Sequence, residues 1–282
     1  MYQLDNIPTE GDLIIPLTND YLFKALMQEN EHVLQGLLCS LLNLNEDEII
    51  STEITNSIIL GESFTEKTFM LDINLCLNNN RIVNLEMQVI DNHDWQERSL
   101  AYLGREFSKL LKGDDYASAI PVHQIGILNY TLFDESPDFY STYMMKGLKN
   151  NVIYSDKFAI SVLDLTQIHR ATDDDRSNKL DEWARLFSAK TWEDLRMLAQ
   201  NNPLMAEATN TISKLCEDDA IRDACYRRDL QLAFEARTQW KLKEQAEALA
   251  EKDEALAEKD EALAEKDAEI AELKKRLEKY EN

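Results

Sequence analysis

Residues 69–113 constrain the fold of this chain more than any other stretch, because they predict two strands, a turn and a helix in succession. Hydrophobic residues alternate with mostly polar ones through residues 69–77 and again through residues 81–90. This period of two places each hydrophobic set on one face of a sheet. The three asparagines at residues 78–80 favour a tight turn, since Asn tolerates a positive φ. The stretch therefore predicts an antiparallel hairpin followed by an amphipathic helix.

The register of this hairpin brings two carboxylates together. If the turn is centred on Asn79, Leu77 pairs with Arg81 and Asp72 lies opposite Glu86. Directly opposed residues have Cβ atoms about 4.5–5.5 Å apart, so two carboxylates there repel each other. A divalent ion between them would remove the repulsion, and Mg²⁺ is commonly held by one or two carboxylates plus a substrate phosphate. An edge hairpin with a polar, solvated face is the other interpretation.

Several motifs in a fixed order carry a family resemblance. They are NDYLFK at residues 19–24, LDI at 71–73, LEMQ at 85–88, Arg98 with Tyr102, Gly113 with Tyr116, and Pro121 before an apolar run. This set, over roughly residues 15–135, resembles the Rpn family of recombination-promoting nucleases and transposases, within the PD-(D/E)XK nuclease superfamily. Gln88 stands where that superfamily usually has Lys.

The resemblance implies an α/β fold with a restriction-endonuclease-like αβββαβ core. It implies a DNA endonuclease that depends on Mg²⁺ or Mn²⁺ and is linked to recombination or phage defence. Asp72 and Glu86 would be catalytic residues and metal ligands, and Gln88 would position the attacking water. A second hypothesis is a weakly active or inactive nuclease fold that serves as an oligomeric interaction protein.

Three residues outside the hairpin are further candidates. Asp20 and Lys24 lie four residues apart on a predicted helix that begins at residue 18 or 19 and runs to residue 42, so they share a face. The resemblance suggests Asp20 as a metal ligand and Lys24 as the cation that Gln88 does not supply. Otherwise Asp20 serves the helix dipole and pairs with Lys24 at the surface. Glu62 is either a third ligand or an ordinary loop acid.

The predicted helix at residues 94–112 has one apolar and one basic side. The basic side carries Arg98, Tyr102, Arg105, Lys109 and Lys112. Arg can bind a phosphate through two hydrogen bonds and Tyr can stack on a base, so the first four are candidate DNA-binding residues. A solvated face of an ordinary amphipathic helix is the alternative.

The remaining chain predicts an extended sheet, a helical region and a helical tail. Residues 122–133 predict the buried strand that completes the αβββαβ order, and His123 on it is expected to belong to the core or the sheet edge. Residues 143–146 and 157–165 predict two further strands. We expect a nuclease-like domain at residues 1–170, a helical subdomain at 171–240 and a heptad-repeat tail at 241–282.

The tail contains three copies of EALAEKD, which places Leu249, Leu256 and Leu263 seven residues apart. Its composition predicts a long helix. Because a stable coiled coil has two large apolar residues per heptad, this tail would form only a marginal one. A marginal homo-oligomeric coiled coil is favoured over a solitary helix.

Charge and composition limit which binding partners and which cellular location the sequence predicts. The net charge is −23, of which residues 241–282 account for −5 and residues 1–240 for −18. Nucleic-acid-binding proteins usually carry a basic surface, so any DNA contact must be local, metal-assisted or made by an oligomer. The four cysteines show no metal-binding spacing, and neither a signal peptide nor a membrane-spanning run is apparent. We therefore expect a cytoplasmic protein that does not enter a membrane.

Overall fold

The computed structural model describes residues 7–56, 72–108, 115 and 118–278, and within them the protein is α/β. The first elements are α1 (Asp20–Glu29), α2 (Glu31–Leu42), β1 (Thr52–Ile54), β2 (Ile73–Leu77), β3 (Arg81–Gln88), α3 (Trp95–Phe107) and β4 (Val122–Leu128). They follow the predicted αβββαβ order, with two helices where one was predicted. The later elements are β5 (Tyr140–Met144), β6 (Phe158–Asp164), α4 (Asp173–Ser177), α5 (Leu180–Ser188), α6 (Trp192–Asn201), α7 (Pro203–Glu217) and α8 (Asp219–Glu278).

The six strands form one mixed sheet in the order β1-β2-β3-β4-β6-β5. Strands β3, β4 and β6 are parallel, whereas the β1–β2, β2–β3 and β5–β6 pairs are antiparallel. Leu77 pairs with Arg81, which confirms the predicted register, and Ile73 pairs with Leu85. Continuing the register by one residue places Asp72 opposite Glu86.

The structure differs from the predicted elements at several ends. The single helix predicted through residue 42 is broken at Asn30, which has φ −132° and accepts a hydrogen bond from the Val33 amide. Asn30 thereby ends α1 and caps α2, because its side chain replaces the missing helical acceptor. The strand predicted at residues 122–133 ends at Leu128. Part of the strand predicted at residues 69–77 lies outside the described residues.

The two faces of β3 have different surroundings. Val83, Leu85 and Met87 belong to a large buried cluster that includes side chains from α1, α2, α5, α6, α7 and the first turns of α8. Glu86 and Gln88 alternate with them and are nevertheless buried. Glu86 and Gln88 therefore lie on the sheet face opposite the main hydrophobic core.

The chain divides into two compact units, Met1–Gln231 and Leu232–Asn282. The boundaries predicted at residues 170 and 240 stay a prediction. The helix predicted for the tail is confirmed as far as Glu278, and Leu249, Leu256 and Leu263 are exposed along it. Its coiled-coil pairing stays a prediction. No helix among the described residues is both long enough and apolar enough to cross a membrane.

Candidate active site

Asp72 and Glu86 are two carboxylates that the hairpin register places opposite each other, and Glu86 is buried whereas Asp72 is partly buried. Asp72 directly precedes β2, and its buried Oδ2 has no hydrogen-bond partner among the residues that the structure describes. Glu86 lies on β3 with 7% of its surface exposed. Burial and then the charge of Asp72 raise the pKa of Glu86 to about 8. Burial also raises the pKa of Asp72, against the lowering effect of Arg98 and Lys24. Two such groups hold their negative charge only beside a cation.

Helix α3 supplies that cation because it approaches the sheet closely. Gly126 pairs with Glu86 across β3 and β4, and a Cβ at Gly126 would lie 2.4 Å from Cζ2 of Trp95. Only glycine permits this position of Trp95 at the start of α3. Arg98 lies one turn later, and its Nη2 donates to Glu86 Oε1 at 2.6 Å and to Gln88 Oε1 at 2.5 Å. The Arg98 guanidinium therefore neutralises Glu86 directly.

The Gln88 amide is held by neighbouring groups at both ends. Its Oε1 accepts from the Tyr130 hydroxyl at 3.1 Å as well as from Arg98, and its Nε2 donates to the Ile90 carbonyl at 3.1 Å. Gln124 Nε2 is 3.5 Å from Glu86 Oε2. These contacts fix the orientation of Gln88, while its role toward a water molecule stays a prediction.

Lys24 reaches the same site from α1. Its side chain is only 1% exposed, and its Nζ donates to the backbone carbonyl of Asp72 at 2.9 Å. Asn56 Nδ2 donates to the same carbonyl at 2.7 Å. Burial lowers the pKa of Lys24 to about 8, although the Asp72 carboxylate opposes this. Lys24 is thus a buried cation beside Asp72 rather than a surface lysine.

Asp20 lies at the start of α1 and is bound by a residue far along the chain. The Arg228 guanidinium on α8 donates to both of its carboxylate oxygens. Metal ligation by Asp20 stays a prediction. Glu62 lies outside the described residues.

Two more of the candidate DNA-binding residues lie beside Arg98 on α3. Burial, followed by the charges of Asp72 and Glu86, raises the pKa of Tyr102. The Arg105 guanidinium lies 5.0 Å from the centre of the Tyr102 ring. Lys109 lies outside the described residues. Arg98, which contacts Glu86, therefore shares α3 with a paired tyrosine and arginine.

Four residues that contact the site were missed by sequence reasoning: Asn56, Gln124, Tyr130 and Arg228. The polar Gln124 on an otherwise apolar strand was the clearest available signal. No sequence signal indicated the contact of Arg228, because 208 residues separate it from Asp20. His123 belongs to the sheet as expected, with Nε2 at 2.8 Å from Ser161 Oγ. Burial and then Arg81 lower its pKa to about 4.

The side chains of the site determine whether it can bind a divalent ion. Among the described residues, no group of three or more His, Cys, Asp or Glu side chains is arranged to hold a metal ion. The two carboxylates alone nevertheless fit Mg²⁺, which prefers oxygen ligands and often uses one or two carboxylates with substrate phosphate and water. Oδ2 of Asp72, which accepts no hydrogen bond from the described residues, could serve as a ligand for such an ion.

Comparisons with known proteins gave one match. A family model described as "PD-(D/E)XK nuclease family transposase" matches residues 17–242, which extend from before α1 into α8. Neither the curated proteins nor the solved structures gave a match. The matched range includes every candidate side chain described above.

Proposed function

Since this chain belongs to the PD-(D/E)XK nuclease family transposases, we propose that it is a metal-dependent endonuclease that hydrolyses phosphodiester bonds in DNA. One observation supports the proposal beyond the family: within the described part of the chain, the buried Oδ2 of Asp72 has no hydrogen-bond partner, and Asp72 lies opposite Glu86 in the strand register. An unsatisfied buried carboxylate oxygen is costly unless a ligand completes it.

Asp72 and Glu86 would hold Mg²⁺ or Mn²⁺. The ion would polarise the scissile phosphate and lower the pKa of a bound water. Asp20 and Glu62 are proposed as further ligands. For Asp20 this role would require its carboxylate to leave Arg228, because both oxygens accept hydrogen bonds there.

Lys24 and Gln88 would divide the task of the usual superfamily lysine. The carbonyl of Asp72 holds the Lys24 ammonium beside the carboxylate pair, where a buried positive charge can stabilise developing negative charge. Gln88 positions Arg98 and Tyr130 through its Oε1. Orienting a water would require Gln88 to exchange one of these bonds.

Arg98, Tyr102 and Arg105 would contact the DNA backbone and bases, and Lys109 would extend this surface. Arg98 binds Glu86 in the described arrangement, and its side chain is 28% exposed, so a phosphate can reach it. Arginine favours the paired hydrogen bonds that phosphate accepts. Three carboxylates, Asp20, Asp72 and Glu86, are matched locally by Arg98, Arg228 and Lys24. These three cations offset part of the local negative charge in a chain whose net charge is −23.

We further propose homo-oligomers formed through the nuclease domain and the tail, a cytoplasmic location, and a role in recombination or phage defence. The alternative function is an oligomeric interaction protein with little or no activity. The replacement of the usual lysine by Gln88 favours that alternative, since its amide groups are already engaged. Metal binding distinguishes the endonuclease from the interaction protein.

We expect wild-type protein to bind Mn²⁺ at one site and the Asp72→Ala variant to bind it at least about a hundredfold more weakly, because Asp72 supplies one of two charged ligands. Isothermal titration calorimetry without DNA measures this. The Asp173→Ala variant is the control, because Asp173 is a fully exposed acid and its loss should leave the affinity unchanged. Equal, weak binding by all three proteins would favour the interaction protein.

A further inference from the structure

Arg228 forms a largely buried ion pair with Asp20. Its Nε donates to Oδ1 at 2.9 Å and to Oδ2 at 2.8 Å, and its Nη2 donates to Oδ2 at 2.5 Å. The exposed fractions of the two side chains are 12% and 11%. A paired, desolvated arginine of this kind is a fixed charge rather than a mobile surface group.

The neighbouring residues fix the same contact between α1 and α8. Asn19 accepts hydrogen bonds from the amides of Tyr21 and Leu22, and so it caps α1. Its Nδ2 donates to the Cys225 carbonyl at 3.1 Å and to Asp229 Oδ1 at 2.7 Å. The start of α1 is thereby joined to α8 through adjacent side chains, which leaves Arg228 little freedom to move.

Asp20 lies close to the metal-binding candidates, because it stands one helical turn before Lys24, whose Nζ donates to the Asp72 carbonyl at 2.9 Å. Its charge contributes to the raised pKa of both Asp72 and Glu86. An unpaired carboxylate at this position would attract a divalent cation to the site, and an unpaired guanidinium would repel one. In the ion pair, the opposite charges of Asp20 and Arg228 nearly cancel each other.

On the basis of the proposed metal site at Asp72 and Glu86, we propose that Arg228 sets the affinity of that site for a divalent ion by neutralising Asp20 and holding it away from the ion. A residue on α8 thus sets the metal affinity of a site that lies at the start of β2 and on β3. Arg228 would act indirectly, since its guanidinium binds Asp20 and Asp20 in turn affects the metal site.

The test is a charge cycle measured by Mn²⁺ titration calorimetry without DNA. Arg228→Gln leaves Asp20 uncompensated and should tighten binding about tenfold, whereas Asp20→Asn leaves Arg228 uncompensated and should weaken it about tenfold. The double variant removes both charges and should return to within about threefold of wild type. Arg228→Lys keeps the charge and should bind as wild type does.

Arg227→Gln is the matched control. Arg227 is the preceding residue on α8, its side chain is 52% exposed, and it pairs with the exposed Asp223. This variant loses the same charge, so an unchanged affinity shows that the effect is local. Urea unfolding establishes which variants fold, and if Arg228→Gln does not, the Asp20→Asn and double variants decide the question.

Two results would overturn the inference in distinguishable ways. If wild type binds Mn²⁺ and the folded Arg228→Gln and Asp20→Asn variants bind it equally well, Arg228 does not tune the site, while the proposed metal centre stands. If wild type binds no Mn²⁺, the metal centre and this inference both fail.

Discussion

DNA cleavage by the Asp72→Asn variant is expected to be at least about a thousandfold slower than by wild type. Asparagine keeps the shape of the side chain but lacks its charge, so the site loses one of two charged ligands. Metal assistance contributes several kcal/mol to such reactions, and each 1.36 kcal/mol is a factor of ten in rate. Nicking of supercoiled plasmid in Mg²⁺ or Mn²⁺ measures the loss.

The same substitution should not destabilise the fold. Burial raises the pKa of Asp72, so its ionised form is unfavourable in the folded protein, and a neutral amide removes that cost. Urea unfolding should therefore show equal or greater stability, the behaviour of a charge retained for function. Asp47→Asn, in an exposed turn, is the control and should cleave as wild type does. If the Asp72→Asn variant cleaved DNA at the wild-type rate, the reaction would take place at a site that does not include Asp72.

The Trp183→Ala variant is expected to lose about 4 kcal/mol of unfolding free energy, because replacing a buried Trp by Ala typically costs 3–5 kcal/mol. Trp183 on α5 is fully buried and stacks on Phe187 with ring centres 5.9 Å apart. Its indole N–H donates to Ser40 Oγ at 3.0 Å, and the substitution leaves this buried hydroxyl without its donor. Urea unfolding monitored by circular dichroism measures the change.

Trp240→Ala is the control for this substitution. Trp240 is 62% exposed on α8, so its replacement should change stability by less than about 0.5 kcal/mol. Trp183 also belongs to the same buried cluster as Leu85 of β3. Loss of the sheet and of the helices at residues 171–231 should therefore occur in one transition. Separate transitions, or a Trp183→Ala loss under 1 kcal/mol, would contradict this packing.

The local part of the site could be predicted from the sequence. The alternation in the two strands and the asparagine turn determine the pairing of Leu77 with Arg81, and this register brings Asp72 opposite Glu86. A tight turn fixes register because few residues separate the paired strands. Asn78 and Asn79 adopt the positive φ that the turn requires, at 52° and 54°.

The partners of the site could not be predicted, since they come from distant segments. Tyr130 and Gln124 follow or lie on β4, which joins β3 only through the parallel crossover. Arg228 reaches Asp20 across 208 residues, and no periodicity in either helix records that contact. The break at Asn30 was missed because apolar spacing continues through it, while the cap depends on side-chain hydrogen bonding.

The tail shows a similar limit. The heptads predict the helix that the structure contains, since Ala, Glu, Lys and Leu favour helix individually. Whether Leu249, Leu256 and Leu263 pair with another copy depends on a weak seam between chains, which intrachain propensity does not determine. The coiled coil accordingly remains a prediction.

Cleavage of supercoiled plasmid and of single-stranded DNA by the folded wild-type protein, with Mg²⁺, Mn²⁺ or a chelator in parallel reactions, is the decisive measurement for the proposed nuclease. We expect cutting of at least one substrate with either ion and none with the chelator. If folded protein cut neither substrate with either ion, the nuclease proposal would be contradicted, and an oligomeric interaction protein would be the better account.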